Sequence, residues 1–168
     1  MKLKRSFLFL SKIKSPIGVL TLLADDQCLV SILWPGEVFL GDKNIKFVNA
    51  KNNPVLMETE IQLTEYFKGK RKVFDLPIEF NGTDFQNKVW KNLVKIPYGT
   101  VNSYLDIAKK IKQPKACRAV GAANGRNPLP IVVPCHRVIG SSGKLTGFAG
   151  GLKSKSILLD LEGISYKL

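Results

Sequence analysis

The sequence predicts an α+β chain in two parts: a small N-terminal domain with an antiparallel sheet and a helix, then a mainly helical C-terminal domain. Three observations predict it. The first third holds β-rich runs separated by turn residues, helical spacing dominates from residue 83 onward, and composition changes at "NGTDF" (81–85). A chain of 168 residues has room for one ordinary domain or two small ones. The boundary is placed near residue 82, giving domains 1–82 and 83–168.

The runs "FLFLSKI", "GVLTLLA" and "CLVSILW" read as strands, the first two joined by the Pro/Gly turn "KSPIG". A polar, irregular stretch follows. Met57, Ile61, Thr64 and Phe67 then recur at helical spacing, with Gly69 just past the end. "KRKVFDLPIEF" reads as an extended segment that Pro77 confines to a sheet edge.

Beyond the boundary, Phe85, Val89 and Leu93 mark the inward stripe of a helix whose N-cap signal is "NGTDF". A second helix spans 103–111, capped by Ser103, with Leu105, Ala108 and Ile111 inward. Pro114 suits the first turn of a third, "PKACRAVGAANG", which Gly125 ends. Two short helices joined by a tight turn, the second rich in small residues, describe a helix-turn-helix; the same spacing also describes an αα-hairpin packed on a core. A final amphipathic helix over 152–163 stops at Gly163.

Net charge is +13, and its distribution matters more than its total. Residues 1–80 carry 12 Lys/Arg against 9 Asp/Glu, whereas residues 81–168 carry 14 against 4. Such a basic half suggests a polyanionic partner, and solubility alone is the other reading. The apolar run near the N-terminus is too short for a signal-peptide core, and no later segment could span a bilayer. The chain is expected to be cytoplasmic and not membrane-bound.

The 3 cysteines, Cys28, Cys117 and Cys135, are far apart, and the 1 histidine cannot complete a usual zinc set with them. They are expected to be free thiols. That histidine, His136, follows Cys135 directly in "IVVPCHRVIG". A thiol reacts as its thiolate and needs a base, so the pair is a candidate nucleophile and acceptor. Neighbours in a strand point to opposite faces, so contact needs a turn or a bridging water; Pro134 argues against a regular strand. A glycine-rich loop at 140–151 reads either as a pocket wall or as a surface turn.

Taken together, "TDFQNKVWKNLVKIPYGTVNSYLDIAKKI", "RAVGAANGRNPLPIVVPCHRVIGSSGKLTGFAGGL" and "LEG" resemble the methylated-DNA–protein-cysteine methyltransferases, the O6-alkylguanine-DNA alkyltransferases. The resemblance covers nearly all of residues 83–163, while the N-terminal part is similar only loosely. It implies irreversible transfer of an alkyl group from O6-alkylguanine, and from O4-alkylthymine, to Cys135 in a single turnover. By the same resemblance His136 takes the thiol proton through a water, Glu162 orients His136, Tyr104 donates a proton to the leaving guanine, and Asn127 braces the turn. Arg118 is implied to fill the space of a flipped base, with Ala119, Gly121, Ser103 and Tyr104 against DNA. The Val138 carbonyl and the Ala149 N–H are implied to hold the base.

Phe148 stands where a tyrosine is common in the family, keeping a stacking wall and losing a hydroxyl. Some relatives carry a zinc site in the N-terminal domain. With Cys28 alone there, no metal and no cofactor are expected, and the partner is double-stranded DNA bound by a monomer. Two other functions compete: a lesion-binding module, against which Cys135 argues, and a Cys-His hydrolase, which leaves the basic helical half unexplained.

Overall fold

The computed structural model describes residues 5–50 and 52–168. The basic run through residue 4, and Lys51, lie outside them. The chain separates into two compact units that divide between Asn81 and Gly82. Among the described residues, no helix is long and apolar enough to cross a membrane.

In the first unit, strands β1 (Phe7–Ser15), β2 (Gly18–Ala24) and β3 (Leu29–Leu33) pair antiparallel in sequence. The sheet is nevertheless mixed and not antiparallel throughout. A fourth strand, β4 (Lys46–Asn49), adds parallel to β1 with Phe7 opposite Lys46, giving the order β3-β2-β1-β4. Every residue of β4 is exposed, so no buried face imposes the alternation by which a strand is recognised. The segment around Pro77 forms only an isolated parallel bridge, Leu29 with Ile78, rather than an edge strand.

Helix α1 (Pro54–Phe67) is capped by Asn53, whose side chain accepts from Leu56 N–H at 3.0 Å. It buries Val55, Leu56, Thr59, Gln62, Leu63 and Tyr66, while Met57 and Ile61 face outward. Leu8, Leu20, Leu22, Leu29 and Ile32 supply the sheet side of this core, and Trp34 is buried in the same unit.

The second unit begins with α2 (Asp84–Leu93), closed by a capping box between Thr83 and Gln86. Its inward residues are Val89, Trp90 and Leu93; Phe85 is only half-buried. Helix α3 (Tyr104–Lys110) starts at a second capping box, Ser103 with Asp106. Ile107 and Ala108 point inward, and Leu105 is exposed instead. Helix α4 (Cys117–Gly125) begins three residues after Pro114, which lies in the preceding turn. The Trp90 indole N–H donates to Ala123 O at 2.8 Å, tying α2 to α4. Helix α5 (Gly151–Leu161) completes the unit.

Two short strands position the site. Asn102–Ser103 (β5) pairs in parallel with Val138–Ile139 (β6). This ladder holds the first residue of α3, Tyr104, near the residues that follow Cys135, although they are far apart in the chain.

Candidate active site

Cys135 lies in a single 3-10 turn, Cys135–Arg137, rather than in a strand. Pro134 removes a ladder donor at its entry, and Arg137 N–H donates to Pro134 O at 3.0 Å to close the turn. Ile131, just upstream, is buried at φ +74°, a conformation that costs a β-branched residue on the order of 1–3 kcal/mol. The surrounding loop must therefore hold it. Asn127 does so from both ends: its amide donates to Val133 O at 2.8 Å and its carbonyl accepts from Leu129 N–H at 3.0 Å. Asn124, on α4, donates to Cys135 O at 3.3 Å.

The end of α5 delivers the carboxylate. Gly163 takes φ +69°, open to glycine without strain. Its N–H donates to Asp160 O at 3.0 Å, and Ile164 N–H donates to Leu159 O at 2.9 Å. Ile164 packs on Leu159 and Ile139. This Schellman stop fixes Glu162 as the C-cap, buried. His136 Nε2 then meets Glu162 Oε1 at 2.7 Å, with both side chains wholly buried. Arg137 grips the same carboxylate through Nε at 2.8 Å and Nη2 at 3.0 Å, and its Nη1 donates to Ile96 O at 2.6 Å. Gly99 N–H adds a bond to Glu162 Oε2 at 3.1 Å.

These contacts set the charges. Burial alone would push Glu162 up, but hydrogen bonds from His136 and Arg137 hold it down at about 2. Burial lowers His136 below its ordinary value against the opposing pull of Glu162, so the imidazole is neutral at rest. Burial pushes the Cys135 thiol up to about 11, with the Asn127 hydrogen bond and the charge of Lys155 opposing it. The site therefore holds a protonated thiol beside a neutral imidazole whose partner carboxylate is fully ionised.

The structure thus brings Cys135, His136, Asn127 and Glu162 together. Tyr104 belongs to a second group, in which Thr146 Oγ1 donates to the Tyr104 hydroxyl at 3.0 Å. Gly121 of α4 faces the Tyr104 ring: a Cβ there would sit 3.7 Å from it, in ordinary contact. Ser103 caps α3 beside them. Arg118 and Ala119 stand exposed on α4, and Ala149 is exposed in the 140–150 loop. Val138 O accepts from Lys155 Nζ at 2.6 Å, and that ammonium lies 5.5 Å from the Phe148 ring centroid. A carbonyl has two lone pairs, so one remains for a ligand.

Sequence reasoning missed Arg137, Asn124, Thr146 and Lys155. Only Lys155 carried a signal. Positions 155, 158, 159 and 162 form one helical face, and a lysine on a stripe with Leu158 and Leu159 is out of place unless it has a buried task. Cys28 and Cys117 are partly exposed rather than fully packed.

Residues 84–164 match the profile of the 6-O-methylguanine DNA methyltransferase DNA binding domain, and residues 8–80 match that of the ribonuclease-like domain of the same proteins. The constitutive methylated-DNA–protein-cysteine methyltransferase of Bacillus subtilis is 46% identical over 156 residues, covering 92% of this chain and 94% of that protein. The enzyme of that name from Methanosarcina mazei is 48% identical over 153 residues, covering 89% and 94%. A crystal structure of Mycobacterium tuberculosis OGT in complex with DNA is 43% identical with a TM-score of 0.82, covering 93% of this chain and 92% of that one. The chain belongs to the methylated-DNA–protein-cysteine methyltransferase family, the O6-methylguanine DNA methyltransferases.

Proposed function

We propose that the protein takes the alkyl group from O6-alkylguanine in double-stranded DNA, and from O4-alkylthymine, irreversibly onto Cys135, once per molecule, acting as a cytoplasmic monomer. Its family membership makes it a DNA-binding repair methyltransferase. The observation that carries the assignment of the acceptor is the buried Cys135 in one turn with His136, itself held by Glu162 at 2.7 Å. Cys28 and Cys117 have no imidazole beside them in sequence, and the chain contains 1 histidine.

The chemistry follows from the protonation states. Cys135 gives its proton through one water to Nδ1 of His136, the ring nitrogen that Glu162 does not engage, and the carboxylate stabilises the imidazolium. The sulfur lone pair forms the S–C bond as the C–O6 bond breaks, and its electrons leave on guanine. Tyr104 gives the departing base its phenolic proton, so that it leaves neutral. Thr146, donating to the same oxygen, steadies the phenolate. The imidazolium proton returns to Tyr104 through solvent, so the net change is hydrogen exchanged for alkyl on sulfur. A thioether offers water no ready leaving group, and the protein is spent.

The base must leave the duplex to reach a buried thiol. Arg118 occupies its place in the stack while Ala119, Gly121 and Ser103 lie against DNA. The free lone pair of the Val138 carbonyl and the Ala149 N–H hold the base over Phe148. Intact-protein mass spectrometry after incubation with an O6-methylguanine duplex tests the reading. One methyl is expected, on Cys135 alone, and Cys135→Ser should bind DNA and transfer nothing. Repeated turnover, or a methyl mapped to Cys28 or Cys117, overturns it.

A further inference from the structure

The loop that follows the Cys135 turn has little reason of its own to keep one shape. Residues 140–151 contain 5 glycines, and glycine loses more conformational freedom on ordering than any other residue. Yet this loop places the Thr146 hydroxyl 3.0 Å from the Tyr104 hydroxyl. Thr146 is exposed and Tyr104 only half-buried, so water competes for the bond. Keeping it requires a fixed backbone on both sides. Tyr104 has one, as the first residue of α3 behind the Ser103–Asp106 capping box.

The segment after α5 supplies the other. Lys167 N–H donates to Gly143 O at 2.8 Å, and Leu145 N–H donates to Lys167 O at 3.0 Å. One residue thus straps the loop on both sides of Lys144, in a parallel bridge. Within the strap, Gly140 N–H donates to Lys144 O at 3.1 Å and Gly143 N–H to Gly140 O at 2.9 Å, closing a tight turn. Leu145 of the loop and Tyr166 of the segment pack against the same buried cluster of Ile139, Leu159 and Ile164. Thr146 is the next residue in the chain after the strapped Leu145.

We propose that Lys167 is a positioning residue of the transfer, acting through its backbone: it locks the 140–145 turn and so sets the Thr146 hydroxyl against Tyr104. The inference rests on the reading of Tyr104 as the donor of a proton to the departing guanine. The strap forms and breaks no bond in the reaction. The phenolic proton goes to the base, and Thr146 keeps its hydrogen bond on the phenolate oxygen because its backbone cannot drift.

The test compares two single-turnover reactions at Cys135 in full-length protein, with Cys28 and Cys117 changed to serine. One is transfer from free-base O6-benzylguanine; the other is alkylation by iodoacetamide, whose iodide leaves without a proton. Lys167→Pro removes the N–H given to Gly143 O. It should slow benzyl transfer about tenfold or more and leave the iodoacetamide rate within about twofold. Lys167→Ala keeps both backbone bonds and should restore the transfer rate. Thr146→Val should be slowed comparably, and adding Lys167→Pro to it should cost little more, because both act through one hydrogen bond. Fully additive losses, or equal losses in the two reactions, overturn the proposal and assign the segment to the fold. If Lys167→Pro does not fold, Tyr166→Ala loosens the segment while keeping its N–H groups, and the same cycle with Thr146→Val decides. Tyr104→Phe that transfers at the wild-type rate would instead remove the donor assignment, which separates that failure from a failure of the strap.

Discussion

Glu162 shows how much one residue can be asked to hold. It accepts from His136, from two nitrogens of Arg137 and from Gly99 N–H, all at 3.1 Å or less. Gly99 reaches it at φ +76°, a conformation easily available to glycine. A carboxylate with a folded pKa of about 2 against an ordinary 4.5 contributes stability that is fully present above the unfolded value and is lost as pH falls through the folded one. The amount is on the order of 3 kcal/mol. His136 acts in the same direction. Its folded pKa lies below the ordinary 6.5, so the unfolded chain takes up the proton first and acid favours unfolding. Chemical denaturation should therefore show stability falling as pH drops below about 6.5. It should fall again below about 4.5. Glu162→Gln should lose the second limb and, by leaving Arg137 buried without its carboxylate, cost about 3–5 kcal/mol at neutral pH. A variant with the wild-type acid limb would show that Glu162 is not the group being titrated.

At the scale of elements, what the sequence disclosed depended on whether chemistry or packing wrote the signal. Thr83 and Ser103 were legible as caps because a hydroxyl before a helix has one main use there. The inward face of α1 was not, because two of its residues are polar. Thr59 donates to Val55 O at 2.7 Å, and Gln62 exchanges hydrogen bonds with the Asp75 backbone at 2.8 and 2.9 Å. Once satisfied, such groups bury as readily as leucine, and the stripe through Met57 and Ile61 misleads. Strand β4 was not legible because an edge with no buried face writes no pattern, whereas Lys155 stood on the apolar stripe of α5 and was legible there. The motif around Cys135 was visible as a run of residues, yet the pairings within it were not: Arg137, in the same turn, reaches Glu162 at the end of α5, Asn124 reaches Cys135 O from α4, and Thr146 meets Tyr104, contacts that only folding makes. Helix α4 carries its own test. If Arg118 fills the gap of an extruded base, Arg118→Ala should slow repair of saturating duplex by roughly tenfold or more and leave transfer from free O6-benzylguanine unchanged. Equal losses on both would assign Arg118 to the pocket or the fold, and no loss at saturation would make it a phosphate contact.

For the molecule as a whole, charge is divided as unevenly as structure. Beyond residue 80 there are 14 basic and 4 acidic side chains. Phosphate neutralisation by this half should make duplex affinity fall steeply with salt. Lys115→Ala, in the exposed approach to α4, should flatten the logarithmic salt slope by about 0.9, whereas Lys68→Ala in the other unit should leave it unchanged. An affinity indifferent to salt would return the charge to a role in solubility. The division reaches into optics as well. The sequence contains 2 tryptophans, and each unit buries one: Trp34 in the first, and in the second Trp90, bonded to the carbonyl of Ala123 on α4. Each unit thus carries a private fluorophore. Trp34→Phe leaves an emission that reports on the α2–α4 pairing alone, so melting of the DNA-binding unit can be watched by light without a label, and Trp90→Phe does the same for the sheet.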